Sequence, residues 1–114
     1  MPRELMTDAE IDEYVARIVE AAHHHGHDVN RVILPLATAV RGRLKRPGDQ
    51  VYVYERNGKL GRTCWVTIDD HRHVFSYSYA DKQIVLRSRL RGETKARFDN
   101  DTSPEELTEQ IDRL

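Results

Sequence analysis

Val51-Tyr52-Val53-Tyr54-Glu55-Arg56-Asn57-Gly58-Lys59-Leu60-Gly61-Arg62-Thr63-Cys64-Trp65-Val66-Thr67-Ile68 decides the fold, because it reads as one antiparallel hairpin. Val51 and Val53 alternate with Tyr52 and Tyr54, and Cys64, Val66 and Ile68 alternate with Thr63, Trp65 and Thr67. Period-two alternation of branched and aromatic residues is the signature of strands with one face buried. Between the two runs stands Asn57-Gly58, a pair that accepts the two positive-φ positions of a type I′ turn.

Downstream the same period continues. Asp69 to Arg72 forms the next turn, and residues 73–79 make a third strand with Phe75, Tyr77 and Tyr79 on one face. Residues 82–91 make a fourth, with Ile84, Leu86, Ser88 and Leu90 on one side and Val85, Arg87, Arg89 and Arg91 on the other. Gly92-Glu93 turns the chain into a short fifth strand over 94–98. After the polar loop 99–102, Ser103 caps a helix over 104–113, with Pro104 in the first helical position and Glu106 three residues after the cap. Leu107, Ile111 and Leu114 supply its apolar stripe.

Upstream the period is helical. Thr7 and Glu10 form a capping box, and Ile11, Val15, Ile18, Val19 and Ala22 follow on one face of a helix over 8–25 that Gly26 ends. Ile33, Leu36, Ala37, Val40 and Leu44 mark a second helix between Asn30 and Arg46. Pro35 is comfortable only in a first turn, so the regular helix starts near Leu34 or after an irregular turn. Arg41, Arg43, Lys45 and Arg46 suit its carbonyl end, and Pro47-Gly48-Asp49 closes the helical part. The expected fold is α+β: two N-terminal helices, an antiparallel meander of four to five strands, and a C-terminal helix packed on one face of the sheet. Residues 1–114 form a single domain.

Composition sets the function classes. A charged fraction of 32% against 39% apolar gives a modest core under a charged skin. No apolar run is long enough for a membrane span and no secretory signal pattern is present, so a cytoplasmic protein without membrane partners is expected. Cys64, the single cysteine, reads as a small core residue in a reducing compartment. The net charge of −1 conceals segregation: residues 1–30 carry seven acids and two bases, 31–97 six acids and fifteen bases, and 98–114 six acids and one base. A basic middle either binds anions or is neutralised by the acidic helices.

Three groups of residues are candidates for chemistry. Arg87, Arg89 and Arg91 would project from one strand face about 7 Å apart, which suits a polyanion, and Trp65, Tyr77 and Tyr79 could join them in a binding surface on the open sheet face. Paired to acids, the same arginines would be structural. His23, His24, His25 and His27, with His71 and His73, form the second group, but no Cys, Asp or Glu completes a metal spacing, so no metal or cofactor is expected. The third would be a nucleophile, and none is signalled: no nucleophile elbow, phosphate loop or paired cysteines occur. The expected function is a non-enzymatic interaction module whose open sheet face serves homo-oligomerisation or protein docking. The alternatives are nucleic-acid binding through the basic sheet surface or, by analogy of size and composition only, a small ribonuclease of toxin type.

Overall fold

The computed structural model describes residues 2–25, 27–45, 48–88 and 92–114, apart from the side chains of His25 and Leu60. The element order is β1 (Arg3–Glu4), α1 (Asp8–His25), α2 (Ile33–Arg43), β2 (Gln50–Arg56), β3 (Lys59–Ile68), β4 (His71–Ser78), β5 (Gln83–Arg87), β6 (Thr94–Phe98) and α3 (Pro104–Asp112). The strands form one antiparallel sheet in sequence order. This is the α+β meander between helices that the periodicities imply, with one strand more. The extra strand is β1, held on β2 because the adjacent Leu5 is buried and its N–H donates to the Val51 carbonyl.

The local signals act as read. Glu10 N–H donates to Thr7 Oγ1 and Thr7 N–H to Glu10 Oε1, completing the capping box, and Glu106 N–H donates to Ser103 Oγ at α3. Asn57 and Gly58 both have positive φ, at 54° and 77°. Asp69 and Asp70 also have positive φ, so β4 begins two residues earlier than expected, at His71. Pro35 is the third residue of α2, within the first turn where proline is tolerated. Gly26 as helix stop, Arg46 at the helix end, Pro47 in the closing turn, and Arg89, Leu90 and Arg91 on the fourth expected strand lie outside the described residues. Among the described residues no helix is long and apolar enough to cross a membrane.

All three helices pack on one face of the sheet. Phe98, Leu86, Ile68 and Val66 meet Val29, Val32 and Leu36 from α2 and its approach, with Leu107 and Ile111 from α3, while Val51 and Val53 meet Leu5 and Ile11 beside α1. Two bulges bend the sheet. Between Val53 and Glu55 the pairing with β3 slips, and Gly61 lies there against Tyr54, where a Cβ would come within 3.1 Å of Tyr54 Cβ and carbonyl oxygen. The second bulge, opposite Leu86 and Arg87, inserts Lys95 into β6.

The polar loop after β6 clamps the connection between α1 and α2. Asn100 Oδ1 accepts from Arg31 N–H at 2.8 Å and Val32 N–H at 3.1 Å, and its Nδ2 donates to the His27 carbonyl and Asn30 Oδ1. Asn100→Ala should destabilise the protein by about 2 kcal/mol, mostly from the two amides left without an acceptor. A urea unfolding series against Asn100→Asp, which retains the acceptor, checks this.

Candidate functional site

The helices do not close fully on the sheet. A cavity of about 350 Å³ lies between α1, α2 and the strands, with Val51, Cys64, Val66 and Phe75 as its floor. Ile11, Val15 and Ile18 reach it from α1, and Ile33, Ala37 and Val40 from α2. Ala21, Ala22 and Ala37 are among its walls, and alanine at these positions leaves the space unfilled. The cavity also explains why Val15 and Ile18 are only half-buried although they lie on the apolar stripe of α1.

Few polar groups enter it. Deep inside, Tyr14 meets Cys64. Burial pushes the Cys64 thiol up to about 12 and raises the Tyr14 hydroxyl well above its ordinary value, the neighbouring thiol adding to the effect. Both groups are therefore neutral near pH 7, and Cys64 is no nucleophile there. Arg41 also lines the space, but its guanidinium pairs with Asp8 at 3.5 Å and Asp12 at 3.2 Å. At the rim, Arg62 lies over the Tyr79 ring at 4.7 Å, and Tyr79 meets Tyr77 edge to face at 5.0 Å. The interior is thus neutral and apolar, with an exposed cation and an exposed aromatic at its edge.

The structure divides the residues expected to form one surface. Trp65 pairs with Tyr52 and Val74, and Val74 with Arg87, so Trp65 and Arg87 share the face turned away from the helices. Tyr77 pairs with Ile84 on the helix-covered face and lines the cavity, and Tyr79 is 61% exposed at the rim. Arg89 and Arg91 lie outside the described residues. The face away from the helices is not a bare apolar surface: Val74 and Val85 belong to it by register and are buried, and Trp65 is half-buried. Among the described residues, the exposed large apolar side chains Met6, Leu34, Tyr54 and Tyr79 come from four separate parts of the chain.

Neutralisation by the acidic helices occurs at particular points. Arg41 of α2 meets the start of α1, whereas Glu55 of β2 receives Arg3 and Arg17, and Arg97 of β6 pairs with Asp81 of the β4–β5 turn at 2.9 Å. Of the histidines, His23, His24, His27 and His71 are exposed and His73 is 3% exposed. Among the described residues no group of three or more His, Cys, Asp or Glu side chains could hold a metal ion.

The cavity escaped the sequence reading because helical and strand periods show which faces turn inward, not how closely they meet. The nearest sequence signal is the set of small residues at inward positions, Ala22, Ala37 and Cys64. Among curated proteins none matches the chain. A family profile described as "Integron cassette protein VCH_CASS1 chain" matches residues 11–107, from the first turns of α1 into α3, and with that span covered the chain belongs to the VCH_CASS1 family of integron cassette proteins.

Proposed function

We propose that this protein is a non-enzymatic binding module that holds one small, largely apolar molecule between α1, α2 and the sheet. The observation that carries this reading is the cavity of about 350 Å³ with its apolar, uncharged interior. Ligand pockets run from roughly 300 to 1,000 Å³, so the space suits a small ligand. The space opens to solvent, with the exposed Arg62 and Tyr79 at its edge. Titration with N-phenyl-1-naphthylamine, a neutral apolar fluorophore, should give saturable one-site enhancement with a Kd in the micromolar range, near −8 kcal/mol. A linear, non-saturating response would count against the reading.

A second reading is favoured by a separate observation. Tyr52, Trp65, Arg72 and Arg87 share the face away from the helices, with the Arg72 guanidinium 5.8 Å from the Tyr52 ring centre. Aromatic and arginine side chains together are common at protein interfaces and on single-stranded nucleic-acid platforms. In this reading the face docks a second copy or a protein partner, with nucleic acid as the alternative. Sedimentation across a concentration series detects the first. Anisotropy with single-stranded RNA at low and raised salt detects the second, through a steep loss of affinity with salt.

A further inference from the structure

We infer that Arg43 at the end of α2, His73 of β4 and Lys95 of β6 form a binding site for a small oxyanion of the phosphate class, separate from the apolar cavity. His73 is 3% exposed, yet its Nε2 is buried without a hydrogen-bond partner among the described residues, and Arg43 Nε is in the same condition. Lys95 Nζ lies 3.3 Å from His73 Nδ1. An ammonium only donates, so Nδ1 accepts and the ring proton belongs on Nε2. Both orphaned atoms are therefore donors. One comes from a helix above the sheet and one from a strand within it.

The electrostatics run the same way. Burial, then the charges of Lys95, His71 and Arg43, push His73 down to about 4, and no carboxylate contributes. The local charge is thus positive and the polar atoms in need of partners are donors, a combination that an oxyanion answers with charge and acceptors together. Lys95 is exposed and Arg43 half-buried, so an anion can reach the cluster from solvent. The negative end of the α2 dipole opposes an anion here, weakly beside two full cations. The β6 bulge is part of the construction: it inserts Lys95 and breaks the strand's alternation where that side chain meets His73.

The test is a titration of the full chain, ¹⁵N-labelled at histidine, with inorganic phosphate at pH 7 in chloride, following the ring nitrogens of His73. The proposal expects a saturable shift at Nε2 within tens of millimolar phosphate, weakened at least about tenfold by Lys95→Gln and by Arg43→Gln. Should Arg43→Gln not fold, Arg43→Lys serves, since it retains the charge and loses the planar Nε–H. An Nε2 resonance unmoved by phosphate would overturn the proposal, as would an equal shift in folded variants of both cations.

Discussion

Ala37→Phe should stabilise the protein by about 1.5 kcal/mol and weaken N-phenyl-1-naphthylamine binding at least a hundredfold. Ala37 sits on α2 with its side chain at the cavity wall. Burying a phenyl ring in unfilled apolar space contributes roughly 2 kcal/mol. Exchanging alanine for phenylalanine in a helix costs about 0.5 kcal/mol, which leaves the net gain. The sign is what discriminates. In a fully packed core the same substitution forces side chains off their rotamers and costs about 1–3 kcal/mol. Urea unfolding of the variant therefore separates a cavity from a closed core even before any ligand is added.

Acid should destabilise the protein through His73 at pH values where most carboxylates are still charged. In the folded chain burial and the charges of Lys95, His71 and Arg43 hold this imidazole at about 4, against an ordinary value of 6.5. The unfolded chain therefore binds the proton first, and stability falls as pH drops through the window from 6.5 to 4, by about 3 kcal/mol in all. Above that window His73 is neutral in both states and contributes no slope. Urea unfolding of the protein and of His73→Gln, in chloride without phosphate, should diverge in slope between pH 7 and 4. Titrating carboxylates are common to both proteins and cancel in the difference, so parallel curves would show that His73 is not held neutral by the fold.

Much of the architecture was legible from short-range chemistry. The Asn57-Gly58 turn, the Thr7–Glu10 capping box and the Ser103-Pro104 helix start are each specified within four residues, so each could be read without knowing the rest of the fold. Strand β1 was not, because two residues carry no period, and its pairing depends on Leu5 reaching the core. The placement of the residues expected to form a surface was only partly legible. Alternation placed Val85 and Arg87 on one face correctly, but it could not show that Tyr77 turns toward the helices or that Val74 and Val85 are buried on the opposite face. The bulge at Lys95 resets the alternation within β6, and with it the His73 cluster lay beyond any pattern of spacing. Spacing alone presents His71 and His73 as a metal pair, since the sequence does not reveal that Lys95 meets His73 and that the charge of Arg43 acts on it.

The central claim, that the space between α1, α2 and the sheet accepts a small apolar molecule, is tested most directly by methyl-resolved NMR during titration with N-phenyl-1-naphthylamine. Methyl groups of Ile18, Val40 and Val66, which line the cavity, should shift together and saturate with one Kd, while Val74 and Val85 on the opposite face stay in place. Shifts confined to Val74 and Val85, or none at any of the five, would contradict the account.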